Sequence, residues 1–369
     1  MKQDIASALV VCTRRIGDVL LATPVIRSLK SALPHLKIDM LVFEGTQDVL
    51  SGNGDLRHVL TIPQRPSALS HLDLLRSIWR RYDVAISVLA GDRPTFHAWV
   101  AGRYRVGTLL PDNKSWWKRL LLHDWVPFDN LQSHTVTMNL QLLAPLAVIG
   151  RCTPVVSWTS ADEAAIHQRL SQSHTQRYAV LHVSPKFVYK TWTVAGWIAV
   201  GRWLMERGLT VVVTGVESPE TAYCGQILQG LPGAVNLVGH VALPELGYLL
   251  SRAAVYVGTD TAVSHMAAAV GTPSVVLFGP SNPVKWGPWP KDFAPTTPSP
   301  WRRQGSQRQG NVYLLQGEGE CVPCLAEGCE RHINSLSECL QQLPVQRVIH
   351  AVETMLGVRE YLVQTSSLA

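Results

Sequence analysis

Short apolar runs alternate with amphipathic stretches along most of the chain. In the first half, "ALVVC" (8–12), "KIDMLVF" (37–43) and "DVAISVL" (83–89) read as buried strands. Between them, the segment from about Asp18 to Ala32 and "LSHLDLLRSIWRRY" (69–82) have helical spacing. This is the βαβ rhythm of a parallel sheet with helices on its faces. "TVTMNLQLLAPLAVIG" (135–150) predicts one long apolar helix, and the shift to Pro, Ser and Thr after it predicts a linker near 151–160. "SADEAAIHQRL" (160–170) then opens a helix with a good N-cap. The rhythm restarts in "YAVLHVS" (178–184), "TVVVTG" (210–215), "AVNLVG" (234–239), "AVYVGT" (254–259) and "PSVVLFG" (273–279), with helical segments such as 193–208 and 243–253 between them. Residues 281–319, rich in Pro, Trp, Arg and Gln, read as an irregular excursion, and "VQRVIHAVETMLG" as a closing helix. The expected organisation is an N-terminal Rossmann-like domain over 1–155, a second over 156–345, and a C-terminal helix and tail over 346–369. Two consecutive open α/β sheets, with loops at the carboxyl ends of their strands, place a ligand cleft between them.

Composition narrows the class. With 369 residues, 46% hydrophobic and 16% charged, the chain has apolar material for two cores and is not disordered. No secretory signal is evident, and the longest stretch free of Asp, Glu, Lys and Arg, Thr261 to Val284, is broken by His265, Gly271 and Pro273. The expectation is a soluble cytoplasmic protein. The net charge of +6 is unevenly spread: 18 Lys and Arg face 12 Asp and Glu through Val155, whereas the remainder has 15 of each. "WRRYD", "GRYRVG" and "KSWWKRLL" mix those cations with aromatics. Such a surface suits phosphorylated lipid, nucleic acid or membrane headgroups, while ordinary solvated helix faces explain any single cluster equally well.

Three of the seven cysteines, Cys12, Cys152 and Cys224, stand alone, and Cys12 reads as a small buried hydrophobe. The other four, Cys321, Cys324, Cys329 and Cys339, have spacings compatible with a structural tetrathiolate metal site, set against reduced free thiols in a surface loop. No catalytic metal is expected, since no His or carboxylate group accompanies the thiols in a pattern that leaves an open position.

Several strand ends carry candidate chemistry. In "GTDTAVSHMAAAVGTP" (258–273) a strand is followed by small and hydroxyl residues and an alanine helix, an anion site made from free N–H groups and the helix dipole. Asp260 there is either an ordinary N-cap or a ligand contact, and His265 either a contact or a core histidine. "HVSPKFVYKTWT" (182–193) offers Ser184, Lys186 and Lys190 near another strand end, where lysine serves a diphosphate as a point charge. Glu217, after "VVVTGV", suits ribose hydroxyls. Together these outline a nucleotide diphosphate held by the second half. Neither a Walker loop nor a GxGxxG followed by an acid occurs, which argues against an ordinary ATPase or dehydrogenase. "CTRRIGDVLLATP" (12–24) places Asp18 where an acid would repel a phosphate. It is either an N-cap or a base that deprotonates an acceptor hydroxyl, with the helix start favouring its ionised form. Arg14 and Arg15 are candidates for positioning an anionic acceptor.

The segments "RIGDVLLATPVIRSLK" (15–30), "YKTW" (189–192) and "GTDTAVSHMAAAVGTPSVVLFGPSNPVKWGPW" (258–289) resemble glycosyltransferase family 9, the lipopolysaccharide heptosyltransferases, most of all its heptosyltransferase III branch. The likeness runs in order along most of the chain. It implies the GT-B fold of two facing Rossmann-like domains and an inverting, metal-independent transfer from ADP-heptose, with no cofactor required. The sequence contains no Asp-x-Asp, in keeping with that. Carried over by position, Asp18 is the catalytic base, and Ser184, Lys190, Glu217, Asp260, Thr261, Ala262 and His265 belong to the donor side. The implied acceptor is a phosphorylated lipid A–core, bound by the basic first half, with peripheral association to the cytoplasmic face of the inner membrane and no nucleic acid. Competing readings are a transferase of the same family using another nucleotide sugar or acceptor, an inactive nucleotide-binding scaffold, and a metal- or redox-responsive module built on the cysteines.

Overall fold

Continuous Val, Leu, Ile and Ala runs become the inner strands of two largely parallel sheets, because helices cover both faces and leave few strand positions for water. The computed structural model describes residues 5–151, 153–171, 177–216, 222–294 and 297–366. It divides into two units, Met1–Ser157 with Ala294–Ser299, and Trp158–Phe293 with Pro300–Ala369.

The first unit contains β1 (Ser7–Cys12), α1 (Ile16–Ala32), β2 (Lys37–Phe43), β3 (His58–Ile62), α2 (Ala68–Ile78), β4 (Tyr82–Ser87), α3 (Asp92–Ala101), β5 (Gly102–Leu109), α4 (Trp116–Arg119), β6 (Asp124–Pro127) and α5 (Thr135–Gln141). Its strands are all parallel in the order β3-β2-β1-β4-β5-β6. Leu9, Val11, Leu41, Ile62, Ile78, Tyr82, Ala85 and Ala98 form one buried cluster between the sheet and its helices. Cys12 is fully buried. The long helix expected over 135–150 is not formed. Helix α5 stops at Gln141, a 3-10 turn covers Ala144–Leu146, and Ala147 adopts φ 51°. Pro145 has no N–H for a helical bond, and its ring disfavours helical backbone at the residue before it.

The second unit contains α6 (Ser160–Ser171), β7 (Tyr178–Ser184), α7 (Val194–Glu206), β8 (Thr210–Gly215), α8 (Ala222–Gly230), β9 (Val235–Asn236), α9 (Leu243–Arg252), β10 (Val255–Thr259), α10 (Ala262–Val270), β11 (Ser274–Phe278), α11 (Pro283–Trp286), β12 (Gln307–Gln309), β13 (Val312–Gln316), α12 (Glu338–Gln341) and α13 (Val345–Ser366). The strand order is β12-β13-β11-β10-β7-β8-β9, parallel except for the β12–β13 hairpin. The supposed irregular excursion therefore holds two strands. Gly310, at φ 52°, and Asn311 make its two-residue turn, and the Asn311 amide donates to the Ala268 and Thr272 carbonyls, tying the hairpin to the end of α10. Helix α13 packs into this unit's core through Val348, Ala351, Val352 and Met355, against a cluster that includes Leu181, Trp192, Trp197 and Val257.

Leaving aside the hairpin strand β12, both sheets have the same doubly wound topology. Each first strand lies beside the fourth, so the order reverses between β1 and β4 in one unit and between β7 and β10 in the other. Ligands of open α/β sheets bind outside the carboxyl ends of the strands at such a reversal. Asp18 follows β1, while Lys190 and Asp260 follow β7 and β10.

Candidate functional site

At the carboxyl end of β1 the chain turns through Thr13, Arg14 and Arg15 into α1, with the Arg14 N–H donating to the Cys12 carbonyl at 3.0 Å. Arg15 is the N-cap, extended in backbone and without a side-chain cap bond, so α1 begins two residues earlier than expected. Asp18 is thus the third helical residue and not the N-cap. Its carboxylate accepts from the Arg15 N–H, the backward half of a capping box. The Arg14 Nε lies 3.5 Å from Asp18 Oδ1; the arginine side chain is half exposed and the carboxylate 11% exposed. Burial pushes Asp18 above the usual carboxylate range, and Arg14, Arg15 and the two N–H donors only partly oppose it. The N–H groups at the helix start favour ionisation, as expected, but desolvation outweighs them. Arg14 is engaged with Asp18 as well as open to solvent.

The second unit presents a different corner. All five residues of β10 are buried, Asp260 follows, and Thr261 is the N-cap of α10 without a side-chain cap bond. With no side chain closing it, the start of α10 from Ala262 keeps N–H groups available to an anion. Tyr256 braces the turn from beneath. Its fully buried hydroxyl shares a 2.8 Å hydrogen bond with Ser264, which donates to the Thr259 carbonyl at 2.5 Å. Gly258 is required by this packing, since a Cβ there would come 2.0 Å from the Tyr256 oxygen.

Lys190 reaches this corner from the other side of the reversal. Its Nζ donates to Asp260 Oδ2 at 2.5 Å and to the Asp260 carbonyl at 3.2 Å. Burial works to raise Asp260, yet the Lys190 charge and hydrogen bond, with Ser281 and His265, hold it below the usual range. His265 is pushed down to about 4 by burial, with Asp260 pulling the other way, so at neutral pH it is an uncharged imidazole. Its Nδ1 and the Thr259 hydroxyl are buried without a hydrogen-bond partner among the described residues. The lysine's loop is fixed on both sides: Tyr189 is buried, Ser337 donates to its carbonyl at 2.7 Å, Gln341 donates to the Thr191 carbonyl at 2.9 Å, and the Trp192 indole donates to Leu343 at 3.1 Å.

The structure thus brings Lys190, Asp260, His265 and the Thr261–Ala262 helix start together. Ser184 ends β7 beside a bulge and shares a hydrogen bond with the Cys224 thiol; no hydrogen bond joins it to Lys190 or Asp260 among the described residues. Lys186 is exposed, 6.0 Å from the Phe187 ring centroid. Glu217 lies outside the described residues. Sequence reasoning missed Tyr256, Ser264 and Ser281, although all three lie within or beside the quoted motif. It also missed Ser337 and Gln341, for which no local signal exists.

Among the described residues no group of three or more His, Cys, Asp or Glu is arranged to hold a metal ion, Cys321, Cys324, Cys329 and Cys339 included. These are free thiols, three exposed and Cys339 half-buried. The Cys329 sulfur accepts the Glu338 N–H at 3.3 Å, while burial and the three other cysteines push Cys339 up to about 11. No helix among the described residues is long and apolar enough to cross a membrane.

Residues 104–297 match the description Glycosyltransferase family 9 (heptosyltransferase). The chain is 31% identical over 299 residues to lipopolysaccharide heptosyltransferase 3 of Escherichia coli, covering 74% of this chain and 83% of that protein. In fold it is similar to a family 9 glycosyltransferase from Veillonella parvula, with TM-score 0.77, 18% identity, and coverage of 96% of this chain and 98% of that one. It is also similar to E. coli ADP-heptose lipopolysaccharide heptosyltransferase II, with TM-score 0.73, 17% identity, and coverage of 96% and 99%. The chain is therefore a glycosyltransferase that belongs to family 9, the heptosyltransferases, and its two Rossmann-like units are the GT-B fold.

Proposed function

We propose that the protein transfers heptose from ADP-heptose to the inner core of lipopolysaccharide, as a heptosyltransferase III-like enzyme acting by inversion and without a metal. The observation that carries this reading is the second unit's corner, where a half-buried lysine, an uncapped helix start and a buried carboxylate meet at the sheet's reversal. Lys190 and the N–H groups at Thr261 and Ala262 suit the diphosphate, as charge and dipole replacing a divalent ion. Asp260 suits sugar hydroxyls, as an acceptor fixed in its ionised form. Neutral His265, with an unpaired nitrogen, offers a further polar contact. Ser184 and Glu217 are assigned to the phosphate and nucleoside sides by their place in the family motifs alone.

Asp18 is assigned as the base. It removes the proton of the acceptor hydroxyl as that oxygen bonds to the anomeric carbon, while the carbon's bond to the diphosphate breaks and ADP leaves with the electron pair, inverting the centre. A carboxylate raised by burial is a better proton acceptor than an ordinary one, which suits this role. Arg14 and Arg15, beside it, suit the phosphates of a lipid A–core acceptor. The enzyme would then work peripherally at the cytoplasmic face of the inner membrane.

The test is transfer itself. Purified protein, ADP-heptose and a core acceptor lacking the terminal heptose should yield ADP and a product heavier by one heptose, with the anomeric configuration inverted and the rate unchanged by EDTA. Transfer from a UDP- or GDP-sugar but not from ADP-heptose would overturn the donor assignment.

A further inference from the structure

Most of the exposed large apolar side chains among the described residues belong to the first unit, and several of them gather at one sheet edge. Trp116 and Leu120, four residues apart on α4 and its C-cap, are 64% and 75% exposed. Trp125 projects from the outermost strand β6, and the Arg119 guanidinium lies 4.9 Å over its ring, so α4 and β6 present one continuous surface. Exposed Leu110 follows the adjoining β5.

The segment is held in this outward-facing form. Lys118, only 4% exposed, donates to the Ala90 carbonyl at 2.9 Å and pairs with Asp92 at 2.8 Å. Asp112 accepts from the Ser115 N–H at 3.0 Å. Its acids are internally committed: Asp124 to the Tyr104 hydroxyl, and Asp129 to the N–H groups of Leu131 and Gln132. Its exposed cations are not; Lys114 and Arg119 form no ion pair among the described residues, in the half of the chain that carries the whole +6 excess. Helix α2 and its C-cap also expose Leu69, Leu72 and Trp79, but the cations there are committed: Arg76 pairs with Asp73, and Arg80 and Arg81 each donate to a backbone carbonyl, of Gly102 and Ser77, at 3.3 Å.

We propose that residues 110–125 are a docking surface for an anionic bilayer. Trp116, Leu120 and Trp125 sit at the boundary between headgroups and acyl chains, and Lys114 and Arg119 meet the lipid phosphates. Indole and leucine beside unpaired, long-stemmed cations are the combination that an interfacial zone accepts and that free water does not reward. A protein partner would have to match the indoles and both cations with one fitted surface, whereas lipid headgroups and acyl chains meet them in any register. The inference rests on the lipid-borne acceptor proposed above for its purpose only, and the measurement that decides it is vesicle binding, which needs no turnover.

The experiment is co-sedimentation of the full chain with vesicles of phosphatidylglycerol in phosphatidylcholine, compared with phosphatidylcholine alone. The native chain should bind the anionic vesicles and lose that binding as salt rises. W116S/L120S/W125S should bind at least ~10-fold more weakly. K114E/R119E should lose comparably, each cation near an anionic surface being worth roughly fivefold. L69S/L72S on α2 should bind as the native chain does, and the triple variant should keep native turnover on a deacylated, water-soluble acceptor. Native vesicle binding by both the triple and the charge variants would overturn the proposal. So would a native dimer in sedimentation velocity that the triple variant abolishes while vesicles bind neither protein, since the surface would then serve a second copy. If vesicle binding follows the expected pattern but no nucleotide sugar supports transfer, it is the functional reading that fails and not this one.

Discussion

Two aspartates stand at the starts of two helices, each helix following a buried strand at the reversal of its sheet, yet their carboxyl groups are driven in opposite directions. Asp18 is raised by burial, and its nearest cation, Arg14, is half exposed at 3.5 Å. Asp260 is buried too, but Lys190 at 2.5 Å, Ser281 and His265 hold it low. A helix N-terminus is typically worth 0.3–1 kcal/mol to a carboxylate, which is too little to decide either case. The partner's distance and exposure decide. One corner keeps a proton-accepting acid, and the other keeps a permanent anion that locks a lysine in place.

The comparison breaks first at Asp18→Asn. Single-turnover transfer should fall at least ~100-fold while ADP affinity, measured by calorimetry, stays near native; unchanged turnover would remove the base assignment. Lys190→Ala should weaken ADP binding and transfer together. It should also cost about 3 kcal/mol in urea unfolding, because Asp260 is left as an unpaired buried charge. Adding Asp260→Asn to Lys190→Ala should recover part of that loss.

The two acids should also differ in sign when each is neutralised. The raised folded-state value of Asp18 means that its stabilising contribution exists below the unfolded value and is lost as pH rises through the folded one. Asp260, held low, contributes above the unfolded value and loses that contribution as pH falls through its folded one. At pH 7, Asp260→Asn should therefore destabilise by about 2 kcal/mol, whereas Asp18→Asn should slightly raise the thermal midpoint, by differential scanning calorimetry. The smallest effect is expected at Arg14→Ala. Removing a charge that lowers Asp18 should move the acid limb of the pH–rate profile to higher pH with the plateau little changed, and a limb that stays in place would separate Arg14 from Asp18.

Much of the fold is legible in the apolar runs, because a strand buried on both faces has few polar residues to confuse its pattern. What escaped had weaker local cause. Helix α5 was over-read because Leu142 and Leu143 extend its apolar stripe, and only Pro145 signals the stop. Strand β13 was overlooked because its apolar "VYLL" lies among Pro- and Gln-rich sequence, and its place was fixed by β11, over thirty residues earlier. The candidate site was legible in its charged members, since Lys190 and Asp260 belong to compact motifs. The opposite behaviour of Asp18 and Asp260 was not legible, because both are an Asp near a helix start, and burial and partner distance are properties of the folded chain.

The hydrogen bonds from Ser337 and Gln341 to the backbone around Lys190, and from Trp192 to Leu343, have a consequence for synthesis. About nine-tenths of the chain must leave the ribosome before those partners exist. A nascent chain therefore acquires the first Rossmann sheet well before its donor lysine is fixed. Premature termination upstream of residue 337 would leave fragments that keep the motif residues but lack the brace that makes them a grip.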